Sequence, residues 1–177
     1  ALLGAEPAPP GGGPRTGRAA PLDQDVVRAG FAGVDSPGRL EVVRRSPTVL
    51  VDAAHNPAGA EVLAAGIEDA FRFTRLVGVV AVLSDKDALG IITALEPILE
   101  EIVVTRSSSP RSILPEDLAE LAEEVFGEHR VTMAQRLDEA LDVAVTLAEA
   151  DGQPGTGILA TGSITLVADV RMLLGVR

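Results

Sequence analysis

The sequence predicts an α/β domain of three layers, in which a mostly parallel sheet of about six strands lies between helices that cover both of its faces. Two observations lead to this fold class. Strand-like and helix-like segments alternate from about residue 37 onward, as in parallel sheets whose strands are joined by helices. The strand-like segments are also nearly continuous apolar runs, which is typical of strands buried on both faces. Because 46% of the 177 residues are hydrophobic and only 2% are aromatic, the core must consist of Ala, Val, Leu and Ile.

The elements follow in a regular order. The first strand is predicted from alternating polar and apolar residues, and the later strands from runs rich in Val, Leu and Ile. The predicted strands span residues 39–46, 47–54, 75–84, 100–111, 129–133 and 155–163. The predicted helices span residues 57–73, 86–99, 115–126, 135–150 and 164–175. Asn56 and Pro57 suit the cap and first turn of the first helix, and the acidic head of the third helix complements its dipole.

The N-terminal part of the chain has a different composition. Residues 4–21 contain five prolines and five glycines, and such a segment buries too little surface to offset its conformational entropy. We therefore expect a flexible segment over residues 1–21. A short helix is predicted over residues 22–36, and the folded domain over residues 37–177.

Charge and composition exclude several classes of function. The chain has 26 acidic and 15 basic residues, and its formal charge is −11. No nucleic-acid partner is expected, because nucleic-acid binding depends on a basic face and the sequence has no basic stripe. The absence of cysteine excludes disulfides and thiolate catalysis. No apolar stretch approaches the roughly 18–20 residues of a membrane span, so we expect a cytoplasmic protein with no membrane partner.

Polar residues follow four of the predicted strands. They lie at residues 52–56, 84–87, 105–111 and 161–163. Ligands of open α/β sheets bind beyond the carboxyl ends of the strands. A parallel sheet would bring these four segments to one edge, which is the candidate site.

Each candidate residue also has an ordinary structural interpretation. Asp52 could accept the hydroxyls of a ribose and His55 could meet a phosphate at a helix N-terminus, yet both could be turn residues with Asn56 as a helix cap. Arg39 could be a solvated charge or a phosphate ligand. Arg111 could bind a carboxylate or belong to a surface loop. Ser163 is expected to cap the last helix, and the same geometry suits an anion.

Five segments, taken together, resemble one protein region. They read SPGRLEVV, PTVLVDAAHNPAGAEVL, AVLSDKDALGII, SSSPRSILPEDL and ATGSITLVADV. In this order and spacing they resemble the C-terminal domain of the bifunctional folylpolyglutamate synthase/dihydrofolate synthase family, a branch of the Mur ligase superfamily. The resemblance covers about residues 22–175. It implies a Rossmann-like fold with a six-stranded, mostly parallel sheet.

The resemblance also implies an activity. Members of the family are ATP-dependent ligases that phosphorylate the carboxylate of folate or dihydropteroate and then let the amino group of L-glutamate attack the acyl phosphate. Arg39, Asp52 and Asn56 would contact ATP, and Asp52 would bind its ribose. His55 would lie beside the nucleotide or act at the reaction centre. Ser163 and Arg111 would hold the incoming glutamate.

The same resemblance assigns part of the machinery to a sequence that is not present here. The phosphate loop, the Mg²⁺ ligands and most of the folate pocket belong to an N-terminal ATPase domain in this family, and residues 22–36 would be its last helix. The chain contains no G-x-x-x-x-G-K-[ST] motif, and we predict no metal site in it. On this basis the chain alone should not catalyse ligation.

Two alternatives to the folate assignment remain at this point. A ligase domain for peptidoglycan precursors is the nearest enzyme alternative, although those proteins usually carry D-Y-A-H-T-P where this chain has DAAHNP. A non-catalytic Rossmann-like nucleotide-binding module is the alternative from another class. An upstream phosphate loop in the same reading frame would favour a ligase, and an independent start codon would favour the module.

Overall fold

A six-stranded sheet runs through the part of the protein that the structure describes. The computed structural model describes residues 38–150 and 152–176. The strands are β1 (Glu41–Arg45), β2 (Thr48–Val51), β3 (Arg75–Val80), β4 (Glu101–Val104), β5 (Val131–Met133) and β6 (Thr156–Thr161). Their order across the sheet is β1-β2-β6-β3-β4-β5. All neighbouring pairs are parallel except β1 with β2, which confirms the predicted mostly parallel sheet.

Five helices cover the two faces of the sheet. They are α1 (Pro57–Ala70), α2 (Ala88–Leu95), α3 (Pro115–Phe126), α4 (Leu137–Glu149) and α5 (Ile164–Leu173). Alternate residues of each strand point to opposite faces. Leu50, Val80 and Leu159 pack with α1, α2 and α3, whereas Val49, Val79 and Ile158 pack with α4 and α5. The described residues therefore form the three layers that the sequence predicts, with two aliphatic core layers.

Local chemistry explains where several helices begin. Asn56 Oδ1 accepts the Gly59 N–H at 2.8 Å, and Pro57 occupies the first helical position, where no hydrogen bond is lost. Asp87 caps α2 in the same way, through the Gly90 N–H at 2.8 Å. The predicted range of α3, residues 115–126, matches the observed helix. The starts of α1 and α3 are encoded within a few residues and lie where the sequence predicts them, whereas α2 starts at Ala88 instead of the predicted residue 86.

The strands end earlier than predicted at their carboxyl ends. The strand predicted over residues 75–84 ends at Val80, and the one predicted over residues 100–111 ends at Val104. Beyond Val80 and Val104 the two segments leave the sheet but stay paired with each other, since Leu83 forms an isolated bridge with Ser112. After β3 the apolar residues Ala81 and Val82 stay buried past the end of the strand, so the sequence pattern does not register where it ends, whereas the segment after β4 is polar and mostly exposed.

The predictions for the first 36 residues lie outside the described residues. This applies to the flexible segment over 1–21 and to the helix over 22–36, which stay predictions. The described residues all lie in one compact unit. Within the described ranges, no helix is both long enough and apolar enough to cross a membrane.

Gly162 provides a test of the packing at the carboxyl end of β6. Its φ of 106° disfavours any side chain, and an added Cβ would lie 2.8 Å from the Ala81 carbonyl oxygen. We expect Gly162→Ala to lower the free energy of unfolding by about 3 kcal/mol or more, from backbone strain and steric overlap combined. Gly152→Ala is the matched control, because φ is also positive there (60°) but nothing lies within 4 Å. Urea denaturation should show a loss of about 1 kcal/mol for the control, and equal losses in the two variants would contradict this account.

Candidate functional site

The four polar segments all lie at the carboxyl edge of the sheet. They follow β2, β3, β4 and β6, which are neighbours in the order β2-β6-β3-β4. The chain passes over β6 on its way from β2 to β3 and returns to it after β5. Crevices beyond the carboxyl ends of the strands are the usual ligand sites of open α/β sheets. The predicted edge is therefore present, and the side-chain contacts decide what it can bind.

Asp52 joins three parts of this edge. Its backbone N–H donates to the Ala160 carbonyl of β6 at 3.1 Å. Its carboxylate accepts the Ala54 N–H on Oδ1 at 2.8 Å and the Leu40 N–H on Oδ2 at 2.9 Å. Each carboxylate oxygen retains acceptor capacity beyond these bonds. Asp52 is thus a structural residue of the turn and can still accept hydroxyl groups from a ligand.

Arg39 lies in a turn between two residues with positive φ. The φ values are 77° for Gly38 and 43° for Leu40. This backbone region is ordinary for glycine and uncommon for leucine, and the Leu40 N–H is held by Asp52. Arg39 itself is exposed, and its guanidinium has no hydrogen-bond or ion-pair partner among the described residues. The turn therefore presents a cation that is available to a ligand.

The His55 ring is held by a hydrogen bond between one of its nitrogens and the backbone. Its Nδ1 lies 2.9 Å from the Ala53 carbonyl oxygen, which can only accept a hydrogen bond. Nδ1 therefore carries a proton, and Nε2 is the atom left to accept or donate toward a ligand. His55 is half-buried, whereas Asn56, which follows it, is exposed and uses its side chain to cap α1.

One open cleft of about 650 Å³ is lined by Arg39, Asp52, His55 and Asn56. Leu40, Val62 and Ile164 supply much of its apolar wall, and the side chains of Val62 and Ile164 are 74% and 64% exposed. The structure thus brings Arg39, Asp52, His55 and Asn56 together beside an apolar surface, in the grouping that the sequence predicts for one ligand.

Ser163 is the N-cap of α5 and is buried. Only 1% of it is exposed, and its Oγ accepts the Leu166 N–H at 3.1 Å. The preceding Gly162 donates its N–H to the Ala54 carbonyl at 3.1 Å, so the β6 turn is bonded to the Asp52 turn. Ser163 acts as the expected helix cap, and its hydroxyl proton is what remains for a ligand.

Arg111 lies apart from the cleft. Its loop follows β4, which is three strand spacings from β2, or roughly 14 Å. The Arg111 side chain is 64% exposed, and its Nη1 lies 3.4 Å from Asp85 Oδ1. Asp169 of α5 fixes the same loop, because its carboxylate accepts the Ser108 N–H at 2.7 Å and the Ser108 hydroxyl at 2.9 Å. The edge therefore has two cationic positions, one at Arg39 and one at Arg111.

The cationic position at Arg111 has a carboxyl beside it, Asp85, whose pKa is shifted. The Lys86 side chain donates a hydrogen bond to Asp85, and together with the charges of Lys86 and Arg111 it lowers the pKa of that carboxyl below its ordinary value. Asp85 therefore remains ionised beside Arg111 under mildly acidic conditions.

Among residues 38–150 and 152–176, no group of three or more His, Asp or Glu side chains is arranged to hold a metal ion.

Two carboxylates at this edge were not predicted. Glu41 accepts the Gly38 N–H at 2.7 Å and pairs with Arg171, while Asp169 holds the Arg111 loop through Ser108. Asp85, which pairs with Arg111, belongs to the predicted polar segment 84–87. No local pattern identifies the pairing of Glu41 with Arg171 or of Asp169 with Ser108, because these partners are 130 and 61 residues away.

The chain is similar to known proteins over most of its length. The model of the family described as Mur ligase, glutamate ligase domain matches residues 38–164. The curated dihydrofolate synthase/folylpolyglutamate synthase of Mycobacterium tuberculosis is 49% identical over 163 residues, which are 87% of this chain and 34% of that protein. The chain therefore spans about a third of the length of this curated relative.

Solved structures give the same result in three dimensions. Mycobacterium tuberculosis folylpolyglutamate synthase complexed with ADP and AMPPCP matches with a TM-score of 0.81 and 52% identity, over 88% of this chain and 36% of that one. The bifunctional folylpolyglutamate synthase/dihydrofolate synthase of Yersinia pestis, complexed with AMPPNP and Mn ion, matches with a TM-score of 0.68 and 25% identity, over 89% and 36%.

Removing the Asp52 carboxylate should destabilise the domain as well as alter the site. Asp52→Ala leaves the Leu40 and Ala54 N–H groups without their acceptor, so we expect a loss of about 2–4 kcal/mol in the free energy of unfolding. Asp142→Ala is the control, since Asp142 is exposed on α4 and should change stability by about 0.5 kcal/mol or less. Urea denaturation measures both, and similar values for the two variants would show that the Asp52 carboxylate does not hold the turn.

The acidity of Asp85 can be measured directly. A ¹³C NMR titration of the side-chain carboxyl should give a pKa below the ordinary 3.8, because Lys86 and Arg111 stabilise the charged form. The pairing with Arg111 is then present above this lowered pKa and is lost as the pH falls through it. Lys86→Ala should raise the pKa of Asp85 more than Arg111→Ala does, because the Lys86 hydrogen bond is the largest cause. A larger effect of Arg111→Ala would reverse that order of causes.

Proposed function

The chain belongs to the family of the Mur ligase glutamate ligase domain, and from this premise we propose that it is the ATP- and glutamate-contacting part of a dihydrofolate synthase/folylpolyglutamate synthase. The relatives with that name are about three times as long as the matched region. The activity proposed for the whole protein is the ATP-dependent ligation of L-glutamate to folate or dihydropteroate through an acyl phosphate.

The observation that carries this proposal is the cleft shared by Arg39, Asp52 and His55. A nucleotide presents ribose hydroxyls, an apolar base and anionic phosphates. Asp52 has acceptor capacity for hydroxyls, the exposed wall at Val62 and Ile164 suits an apolar group, and Arg39 supplies an available cation. Solved relatives that match this chain are complexes with ADP, AMPPCP and AMPPNP, which supports ATP as the ligand.

His55 is proposed to act next to the phosphates. Its Nδ1 is held by the Ala53 carbonyl, which fixes the ring and directs the remaining function to Nε2. A protonated ring would donate from Nε2 to a phosphate oxygen, and a neutral ring could accept a proton from the attacking amine. Both roles need His55 at the boundary between nucleotide and reaction centre, which is where the Asp52 turn would place it.

Glutamate is proposed to bind at the second cationic position. Arg111 has a side chain that is 64% exposed and held from one side only, by Asp85, so it can pair with a carboxylate. Ser163 would contribute its hydroxyl proton and the N-terminus of α5, where anions are favoured. The distance between this position and the cleft suits a reaction in which ATP and the amino acid approach one acceptor from two sides.

The remaining parts of the reaction are proposed to lie outside this chain. Mg²⁺, the phosphate loop and most of the folate pocket are assigned to an N-terminal ATPase domain, which would close the site against this carboxyl edge. The metal would neutralise phosphate charge during transfer. We expect the intact enzyme to be cytoplasmic and the chain alone to be inactive in ligation.

The two alternatives differ in their support. A peptidoglycan precursor ligase would share the Mur-type domain, but the curated relatives at 30% identity or more over most of this chain are folate enzymes. A non-catalytic nucleotide-binding module would share the Arg39 cleft and would not need Arg111. Glutamate dependence of ligation in the intact protein, with pteroate compared with UDP-muramoyl substrates, separates these alternatives from the proposal.

Nucleotide binding can be tested with this chain. In an amide shift titration with millimolar Mg-ATP, we expect changes at Arg39, at residues 52–56 and at the Ser163 turn. Arg39→Ala should raise the Kd about tenfold or more, because a charged contact to phosphate is lost. Arg45→Ala is the matched control, since it removes the same charge from an exposed position on β1 and should change the Kd by about twofold or less. Equal effects would mean that only net charge matters, and shifts elsewhere on the surface would count against the site.

A further inference from the structure

We propose that Glu41 is a positioning residue that sets the direction of the Arg39 side chain, with Arg171 of α5 as its anchor. The role of Arg39 in binding phosphate rests on the function proposed above. The positioning itself does not, because it concerns the geometry of the protein without a ligand.

The backbone around Arg39 cannot hold its conformation by local preference. Gly38 and Leu40, on either side of Arg39, both have positive φ, and a leucine in this region is uncommon without external support. An isolated turn of this sequence would relax to ordinary backbone angles. The direction of the Arg39 side chain therefore depends on the groups that bind the neighbouring N–H groups.

Two carboxylates supply that support, one on each side of Arg39. Asp52 Oδ2 accepts the Leu40 N–H at 2.9 Å, and Glu41 Oε2 accepts the Gly38 N–H at 2.7 Å. The Gly38 carbonyl is fixed as well, by the Ala53 N–H at 2.8 Å. The turn's own groups in these bonds belong to Gly38 and Leu40, the two neighbours of Arg39, so the turn is held while the guanidinium stays available.

Glu41 differs from Asp52 in what fixes the carboxylate itself. Its second oxygen, Oε1, pairs with Arg171, and the two side chains are only 23% and 19% exposed. Arg171 is on α5, the helix that follows the β6 turn and is capped by Ser163. Gly38 also approaches this helix, since a Cβ added there would lie 3.0 Å from Val167 Cγ1. Glu41 therefore transmits the position of α5 to the turn that carries Arg39.

Comparison with a second ion pair, between Arg75 and Glu101, distinguishes the Glu41–Arg171 pair from an ordinary half-buried salt bridge. Arg75 Nη2 lies 2.5 Å from Glu101 Oε2, and both side chains are 20% exposed. Glu101 lies at the first residue of β4, at the opposite edge of the sheet, and accepts no backbone N–H from the described residues. The two pairs match in type and exposure, and only the Glu41 pair is bonded to a turn at the candidate site.

The experiment compares Glu41→Ala with Glu101→Ala in the 177-residue chain without ligand. The readout is the ¹⁵N order parameter of the Gly38, Arg39 and Leu40 amides and of Arg39 Nε. We expect the amide values to fall from about 0.85 to below about 0.6 in Glu41→Ala and to stay unchanged in Glu101→Ala. A merely structural role would lower the stability of both variants and leave these order parameters alike. Wild-type values at residues 38–40 in Glu41→Ala would overturn the proposal.

A milder variant decides the matter if Glu41→Ala does not fold. Glu41→Gln keeps an oxygen that can accept the Gly38 N–H but cannot also pair with a guanidinium as an anion. We expect a smaller fall in the amide order parameters than in Glu41→Ala, with Glu101→Gln as its control. No difference between Glu41→Gln and Glu101→Gln at Arg39 Nε would also overturn the proposal.

The link to nucleotide binding is measured separately. Titration with Mg-ATP should give a Kd about threefold to tenfold higher in Glu41→Gln than in Glu101→Gln, because Arg39 must be ordered again on binding. If the unmodified chain shows no Mg-ATP binding, the proposed half-site fails, whereas the order parameters still decide the role of Glu41. If the order parameters fall but the Kd does not change, Arg39 is positioned by Glu41 and is not the phosphate ligand.

Discussion

The parallel pairing of β6 with β2 on one side and β3 on the other places the candidate site. In register, Ala160 of β6 is opposite Val51 of β2, and Thr161 is opposite Val80 of β3. The turns that follow these strands therefore begin at the same height, next to one another. Gly162 then joins them, because its N–H bonds the Ala54 carbonyl and its bare Cα fits against Ala81. A side chain at this point would separate the turns on which the rest of the edge depends.

Carboxylates have an unusual share in building this edge. The chain carries a net charge of −11, and four of its acidic side chains are used to hold the loops that present two arginines. Asp52 and Glu41 fix the turn around Arg39, and Asp85 and Asp169 fix the loop around Arg111. Hydrogen bonds from backbone N–H groups to ionised acceptors are stronger than those between neutral groups. An acidic protein can thus hold a small number of cations in place for anionic ligands.

Asp52 has a structural role in the turn, and the same carboxylate is the one that we propose for ligand binding. Its two oxygens already accept backbone N–H groups, so a change in ligand binding on its removal has two causes. Arg39 is the cleaner probe of the ligand, because its guanidinium has no partner among the described residues. Asp52 builds the turn and Arg39 is the side chain that the turn presents, and for this reason we propose a positioning role for Glu41, which does not line the cleft.

The sequence by itself determined the fold class, the starts of α1, α3 and α5 and the segments that form the polar edge, because these follow from hydrophobic pattern and short-range capping chemistry. Asn56, Asp87 and Ser163 cap helices as their local patterns indicate, and the segments that follow β2, β3, β4 and β6 were identified in advance. Whether Arg39 and Arg111 bind the predicted ligands stays a prediction. Only the tertiary structure decided where the strands end, that Arg39 and His55 share a cleft from which Arg111 is excluded, and that Ser163 is buried. It also decided the partners of Glu41 and Asp169, 130 and 61 residues away. Such contacts depend on strand order and on the packing of α5, and no local pattern of residues encodes either of them.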